Sequence, residues 1–554
     1  MITRREILKT TGTAALATNP LMRALASTPF ESGAMRCINV VNFIREIEPR
    51  FKMDMMLPVT SQMELILKHG LPATWLLQFD ALVSGPFVPY LKEHMAKNHE
   101  VGFWFEMNEK HVKAAGVEWR GRPGYEWDHL PPVAFTIGYT KDERIKLADT
   151  AMNRFKEIWG HYPKSIASWN LDSFTLQHLT EKYGVDAYAV CRDQIATDGF
   201  TIWGAPIAGY YPSKINCWSP ALEKKNQIAT PIFRMLGQDP VYYYERSYPL
   251  PDGRRIGEPD TMEPAWTSGR SKHFVDGFLH MIADEQTGRF AYCQMGQENT
   301  FPWDQQKDGY PMQMEALAAL AKTGKVHVET MGETGRRFKK AFSQTPVQTQ
   351  VQLEDPFENT NPSEGSIWYQ SRFYRANLHL KGDLPYLRDI TVYSDEFPQP
   401  FLDKATRLND VEQKMPPVLD GYHWRRDQHP AEEPWAGALF RIGETLIRAT
   451  GAPKIVEHVS GMTVELPVQG GKTLRIKFEE KRMTVELDGE ELNIAFRWDL
   501  AKSSLVGIHA REARCEWQGQ SYAMKVRQGA IVGKLSEWEV RSEKNRIELF
   551  LAQS

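Results

Sequence analysis

Long apolar runs and a surplus of one charge are both missing from this chain. No stretch of its 554 residues approaches the ~18 consecutive apolar residues that a membrane-spanning helix needs. The formal net charge is −3, which provides no basic field for nucleic acid. We therefore predict neither an integral membrane span nor a nucleic-acid partner.

Cysteine is scarce as well, and its spacing shows no pairing. The chain has five cysteines, an odd number, and no two of them form a CxxC pair. The sequence therefore predicts buried free thiols rather than a disulfide framework.

Several motifs that identify enzyme classes are absent. There is no P-loop, GxGxxG or GxSxG sequence, which argues against a kinase, a dehydrogenase and a serine hydrolase. The histidines are scattered without HxxxH or HExxH spacing, so a histidine-based zinc or iron site is not expected. We predict no cofactor, although carboxylates could still bind a calcium or magnesium ion.

The N-terminus carries the features of an export signal. Arg4 and Arg5 precede a mildly apolar segment and an Ala24-Leu25-Ala26 cleavage-like site. This arrangement resembles a twin-arginine signal and predicts a periplasmic or extracellular protein, with residues 1–30 as the signal segment. The alternative is an N-terminal amphipathic helix with incidental arginines.

The remaining chain changes character near residue 344. Residues 31–344 alternate short apolar runs with segments of helical periodicity, which predicts parallel strands and favours a (β/α)7-8 barrel. Helix boundaries are marked by the capping box Thr140–Glu143 and by Gly70 and Gly184. Residues 345–554 read as short strands, with Asp488-Gly489 typical of a hairpin, and predict an all-β sandwich-like domain.

Acidic residues stand at the ends of many predicted strands in the barrel region. They are Asp80, Glu106, Asp172, Asp193, Asp239, Glu298 and Glu329. In a parallel barrel the carboxyl ends of the strands meet at one mouth, where crowded carboxylates acquire different pKa values. We predict Glu106 and Glu298 as the catalytic pair, because glycosidic cleavage needs two carboxylates. Asp172, which could equally cap a helix, is third, and Asp80 and Asp239 are held in reserve.

Aromatic and amide side chains beside these strand ends predict a sugar site. Sugar rings stack on aromatic faces while their hydroxyls bind polar groups, although core packing could explain many of the same aromatic residues. The predicted substrate-binding residues are Gln78, Trp104, Trp169, Asn170, Trp203, Tyr211, Asp239, Trp303 and Glu329. The loop at residues 110–132 also contains Trp127 and is long enough to be functional.

The stretch from residue 68 to residue 108 resembles a known family. KHGLPATWLLQFDAL followed by HEVGFWFEMN is similar to the strand pattern of NodB-type polysaccharide deacetylases, and to the related barrels of glycoside hydrolase families 57 and 38. The resemblance implies a barrel over about residues 35–340. It also implies a two-domain carbohydrate-active protein.

The same resemblance fails at the metal ligands. The two metal-binding histidines of the deacetylases fall on Trp104 and Asn108, and their Asp-Asp pair is replaced by Asn42, Arg45 and Glu46. We therefore expect an exported glycoside hydrolase acting on an oligo- or polysaccharide. The alternatives are a deacetylase-like metal-dependent hydrolase with other ligands, and a non-catalytic glycan-binding protein.

Overall fold

The computed structural model describes residues 34–50, 52–235, 248–249, 255–256, 261–285, 288–353, 364–420, 437–497 and 503–553. The predicted signal segment and Asp239 lie outside these ranges. Within them, no helix is both long and apolar enough to cross a bilayer.

The first part of the chain alternates strands and helices. The strands are β1 (Met35–Ile44), β2 (Ala73–Leu77), β3 (His99–Trp104), β4 (Ser165–Ala167), β5 (Ala187–Cys191), β6 (Gln194–Thr197), β7 (Phe200–Trp203), β8 (Gly209–Tyr210), β9 (Ile232–Met235), β10 (Tyr248–Pro249), β11 (Arg255–Ile256), β12 (Phe290–Met295) and β13 (His327–Val328). The α-helices are α1 (Met56–His69), α2 (Phe79–Val83), α3 (Phe87–His94), α4 (Glu109–Ala114), α5 (Pro131–Ala134), α6 (Lys141–Trp159), α7 (Ser173–Tyr183), α8 (Thr267–Arg270), α9 (Lys272–Ala283), α10 (Trp303–Gln306), α11 (Gly309–Ala321) and α12 (Met331–Ala341). Short 3₁₀ turns cover Thr136–Gly138, Lys224–Asn226 and Gln469–Gly471.

Parallel pairing joins most of these strands into a nearly closed barrel, and β6, β7, β10 and β11 lie in two smaller sheets. The order is β12-β1-β2-β3-β4-β5-β9, with β8 antiparallel to β9 at one edge and β13 beside the first half of β1. In the described part of the chain no ladder joins β9 to β12. The expected α/β barrel is thus present in the described residues as eight parallel strands, β13 included, with a gap, and full (β/α)7-8 closure is not seen there.

The barrel interior is filled by apolar side chains from alternate strand positions. Cys37, Val41 and Phe43 of β1 join Phe233 and Tyr292 in one buried cluster, because successive residues of a strand face opposite sides. Met331 and Phe338 of α12 belong to the same cluster. Helix α12 therefore covers the end where the strands begin, and the end where they finish is left as the mouth.

Local sequence signals explain where the main helices start and stop. The capping box Thr140–Glu143 begins α6 as predicted. Gly70 and Gly184 end α1 and α7 with φ of 65° and 63°, a conformation that glycine adopts without strain. All five cysteines are buried and unpaired, which confirms the thiol prediction.

The second part of the chain is built from strands. They are β14 (Gln348–Gln352), β15 (Glu364–Gln370), β16 (Tyr374–Lys381), β17 (Leu384–Val392), β18 (Val411–Lys414), β19 (Pro417–Leu419), β20 (Gly437–Ile442), β21 (Thr445–Leu446), β22 (Lys454–His458), β23 (Gly461–Val468), β24 (Lys472–Glu479), β25 (Arg482–Leu487), β26 (Asn493–Arg497), β27 (Leu505–His509), β28 (Glu512–Trp517), β29 (Gln520–Gln528), β30 (Ala530–Lys534), β31 (Glu537–Arg541) and β32 (Arg546–Phe550).

Two antiparallel sheets make up this β-rich part. One follows the order β14-β15-β16-β17-β20-β26-β31-β30 and the other β22-β23-β24-β25-β32-β29-β28-β27. Their apolar side chains share one core, in which the rings of Tyr369 and Phe478 stack with centroids 5.4 Å apart. Strand β18 leaves this part to pair in parallel with β7, and with β6 these strands form a separate three-stranded sheet that connects the two parts of the chain.

Candidate active site

Three strand ends converge on one guanidinium at the barrel mouth. Arg45 follows β1 directly, and its Nη2 lies 2.9 Å from Glu106 Oε2 and 3.5 Å from Glu298 Oε2. Glu106 and Glu298 follow β3 and β12, so the ends of parallel strands bring them together. All three side chains are buried, with Glu298 the most accessible at 7%.

Aromatic and amide groups fix Arg45 in this position. Its guanidinium lies over the Trp127 ring, 3.9 Å from the centroid, and the Trp127 indole N–H donates to Glu106 Oε2 over 3.3 Å. The Arg45 N–H donates to Asn299 Oδ1, and Asn299 Nδ2 donates back to the Arg45 carbonyl, each over 2.9 Å. The cation is therefore held by its own backbone as well as by its side chain.

Burial sets the protonation behaviour of the carboxylates here. It raises the pKa of Glu106 and brings the pKa of Glu298 to about 7, in both cases against the lowering effect of Arg45. Burial and the nearby charge of Glu298 raise the pKa of a third carboxyl group, Glu263, to about 8. A group that titrates near neutral pH can give or take a proton during a reaction.

The floor of the mouth is an aromatic platform. The Phe43 and Trp104 rings stack with centroids 3.8 Å apart, and Trp169 meets both rings edge-on at 5.6 and 4.9 Å. Trp104 is fully buried, whereas Trp169 is only partly buried. Of the three rings, Trp169 is therefore the one that could contact a ligand.

Of three other predicted residues, Gln78 contacts this centre directly, and Asn170 and Trp303 follow strands that end at the same mouth. Gln78 Nε2 donates to the Glu106 carbonyl over 3.3 Å, and Asn170 Nδ2 donates to Gln413 Oε1 over 2.9 Å. The Gln78 and Asn170 side-chain oxygens are buried and have no hydrogen-bond partner among the described residues. Trp303 is half-buried on α10, the helix that follows the Glu298 loop.

Asp80 and Asp172 are engaged in shaping the backbone. Asp80 accepts hydrogen bonds from the N–H groups of Glu46, Ile47 and Ala81, and burial raises its pKa to about 6. Asp172 caps α7 through the Thr175 N–H at 3.0 Å and pairs with Arg144 at 3.0 Å. The helix-cap alternative for Asp172 therefore describes its position, and the structure does not bring it to the mouth.

Three predicted substrate-binding residues lie elsewhere. Tyr211 donates its hydroxyl to the Phe342 carbonyl over 2.7 Å at the closed end of the barrel. Glu329 is at that end too, paired with Arg337 at 2.9 Å, because β13 lies beside the first half of β1 and ends low in the barrel. Trp203 is buried, and its indole N–H donates to Asp389 of the β-rich part over 3.3 Å. The expectation that Tyr211 and Glu329 line the mouth is wrong, whereas the binding role of Trp203 stays a prediction.

Several mouth residues escaped prediction from the sequence. The sequence shows a charged residue, Arg45, directly after the first predicted strand, but it does not show which side chains Arg45 contacts. Glu263 follows no predicted strand. The charge of Glu48 acts on Arg45, and the charge of Asp198 acts on Glu106 and Glu263. No sequence pattern identifies these three residues. Trp127 had one signal, its place in a long aromatic loop.

The residues present do not fit the metal site of the deacetylases. Trp104 packs on Phe43, Asn108 Oδ1 accepts the His111 N–H at the start of α4, and Asn42 Oδ1 accepts from the Gln297 N–H and the Tyr310 hydroxyl. Among the described residues, no group of three or more His, Cys, Asp or Glu side chains is arranged to hold a metal ion.

No protein-family model matches this chain, and no curated protein sequence does. A solved structure from Parabacteroides distasonis, provisionally named a glycoside hydrolase/deacetylase, is similar with a TM-score of 0.56 and 17% identity over 72% of this chain and 95% of its own. Two provisionally named polysaccharide deacetylases also align. The one from Mycobacterium smegmatis has a TM-score of 0.34 and 11% identity, covering 57% of this chain and 96% of its own. The one from Pseudomonas aeruginosa PAO1 has a TM-score of 0.33 and 12% identity, covering 55% of this chain and 92% of its own.

The first of these likenesses supports the barrel fold that the sequence resemblance implied. It says nothing of reaction or substrate at 17% identity. The resemblance to glycoside hydrolase families 57 and 38 finds no support in these comparisons.

Proposed function

We propose that this protein is a carbohydrate-active hydrolase whose reacting groups are Glu106 and Glu298. The observation that carries the proposal is their convergence on Arg45 above the Phe43–Trp104–Trp169 platform. The partly exposed Trp169 ring of this platform can pack against the apolar face of a sugar ring, and the carboxylates can exchange a proton with water or a leaving group.

Removal of an acyl group from a sugar is the reaction better supported by the comparisons. Deacetylase stands in the provisional names of the three structures reported above, and glycoside hydrolase in one of them. In such a reaction Glu298, with a pKa of about 7, would take a proton from the attacking water. The ion pair with Arg45 would hold Glu106 in place beside it.

Cleavage of a glycosidic bond is the second candidate, and the carboxylate geometry favours it. Oε2 of Glu106 and Oε2 of Glu298 both contact Nη2 of Arg45, at 2.9 and 3.5 Å. The distance between these two oxygens therefore cannot exceed the sum of the two contacts. A close carboxylate pair is what glycosidic cleavage requires, and the anomeric configuration of the product, read by NMR, decides between retention and inversion.

One assay separates the two reactions. Acetylated and non-acetylated oligosaccharides are incubated with the full-length protein, and released acetate and new reducing ends are measured in parallel. We expect Glu106→Gln and Glu298→Gln each to lower turnover by about 10²–10⁴-fold. Glu329→Gln, at the closed end, is the matched control and should leave turnover unchanged.

The assay can also refute the proposal. Turnover that survives both Gln substitutions would show that other groups react. Binding of glycans without any product would favour a non-catalytic glycan-binding protein.

We also propose that the protein is exported through its twin-arginine sequence and meets its glycan outside the cytoplasm. The support is the Arg4-Arg5 pair with the following apolar segment. Replacing both arginines with lysine should leave the protein in the cytoplasmic fraction. An unchanged distribution would contradict export by this route.

A further inference from the structure

We propose that the Arg45 guanidinium is a built-in cation that does the electrostatic work a metal ion does in related barrels, and that hydrolysis here needs no metal. Arg45 is a positioning residue in this proposal: it holds Glu106 and Glu298 in place and keeps negative charge at the mouth. The activity arm of its test rests on the proposed function. A second arm needs no substrate.

The first support is the location of the charge. Nη2 of Arg45 contacts both Glu106 and Glu298, and the side chain is 2% exposed. The charged groups acting on Arg45 are Glu106, Glu298 and Glu48, with Arg50 opposing them. A buried cation among three carboxylates compensates charges that would otherwise be strongly destabilised by loss of water.

The second support is that the ligand positions are committed to other contacts. The Trp104 ring is stacked on Phe43, and the Asn108 and Asn42 side-chain oxygens accept backbone hydrogen bonds. A metal would need these positions, and the guanidinium already lies between the carboxylates. Its seat on Trp127 is an aromatic face, which suits a planar cation better than a metal ion.

The third support is rigidity. The two Asn299 hydrogen bonds to the Arg45 backbone and the Trp127 contact determine where the guanidinium sits. A cation fixed before substrate binds keeps both carboxylates in their reacting positions without first having to reorganise. A flexible surface arginine could not do this.

The test is chemical rescue of Arg45→Ala in the full-length protein. We expect the substitution to lower turnover by about 10²–10³-fold. Guanidinium chloride at about 0.1 M should raise the turnover of Arg45→Ala at least about tenfold, because the free planar cation can bind over the Trp127 ring where the Arg45 side chain is missing. Urea, which has the same shape without the charge, should not restore turnover.

Arg337→Ala, at the closed end of the barrel, is the control for general salt effects and should show no gain with guanidinium. Arg45→Lys keeps the charge but not the planar fork, so it should fold and retain more turnover than Arg45→Ala. Equal turnover of Arg45→Ala and wild type would overturn the proposal. So would a rescue by urea as large as that by guanidinium.

Two further measurements complete the test. The melting temperature of Arg45→Ala should rise in low guanidinium and that of wild type should not, because only the variant has an empty cation seat. Dialysis against EDTA should leave wild-type turnover within about twofold. A tenfold or greater loss that zinc reverses would refute the metal-free proposal.

These arms distinguish the two proposals. If no glycan is turned over by wild type, the proposed function fails, and the melting experiment still decides whether Arg45 fills a cation seat. If glycans are turned over but neither rescue nor stabilisation by guanidinium is found, only the Arg45 proposal fails.

Discussion

Glu263 gives the mouth a pH dependence that can be measured. Its carboxyl group accepts hydrogen bonds from two uncharged donors, Gln297 Nε2 at 2.8 Å and Trp266 Nε1 at 3.1 Å. Burial and the charge of Glu298 raise its pKa from 4.5 to about 8. The folded protein thus holds this proton to higher pH than the unfolded chain does, and the associated stability is full below pH 4.5 and lost as pH rises through 8.

We therefore expect the melting temperature of wild type to fall between pH 5 and pH 8 more steeply than that of Glu263→Gln. Each pH unit of separation between the two pKa values corresponds to about 1.4 kcal/mol. Glu223→Gln changes an exposed carboxylate and should keep the wild-type slope. Parallel curves for wild type and Glu263→Gln would show that Glu263 is ionised in the folded protein throughout this range.

At the scale of single residues, the sequence predicted strand-end positions better than side-chain contacts. Glu106 and Glu298 were chosen because they follow buried strands, and they do meet at the mouth. Glu329 also follows a strand, but β13 lies beside the start of β1, and that register depends on residues some 290 positions away. The catalytic roles of Glu106 and Glu298 remain predictions.

At the scale of elements, α12 provides a test of how the closed end is packed. A Cβ atom on Gly335 would lie 2.1 Å from the Asp186 carbonyl oxygen, which is backbone and cannot yield easily. We expect Gly335→Ala to destabilise the protein by about 1–3 kcal/mol. Denaturant unfolding followed by tryptophan fluorescence measures the change.

Gly277 in α9 is the matched control. A Cβ atom there meets nothing within 4 Å, so Gly277→Ala should stabilise the protein by up to about 1 kcal/mol through helix propensity. Equal effects of the two substitutions would mean that α12 is not packed tightly on the strand it covers.

Element boundaries were predictable because their signals are local, and pairings were not. The capping box of α6 and the glycines ending α1 and α7 act over a few residues. Asp488-Gly489 predicted a hairpin, but β25 and β26 lie in different sheets, so that prediction is wrong. A turn dipeptide determines only that the chain bends there; the partner of each strand depends on which apolar faces can be buried together.

At the scale of the whole molecule, a buried charge network joins the barrel to the β-rich part. Arg375 of β16 pairs with Asp193 of the barrel at 2.8 Å and with Asp389 of β17 at 3.2 Å. Asp193 also pairs with Arg234 at 3.3 Å. The sequence predicted Asp193 only as a strand-end carboxylate, because nothing local reveals a partner 182 positions away.

Removing Arg375 should weaken the whole molecule, because it leaves Asp193 and Asp389 buried with less compensating charge. We expect Arg375→Met to lower the free energy of unfolding by about 3–5 kcal/mol. Asp403→Asn breaks the exposed Lys141–Asp403 pair between the same two parts of the chain and should cost no more than about 1 kcal/mol. If the two substitutions cost the same, the buried network does not hold the parts together.

If Arg375→Met melts in two steps where wild type melts in one, the barrel and the β-rich part depend on this network to unfold as one unit. The β7–β18 pairing alone then cannot couple them.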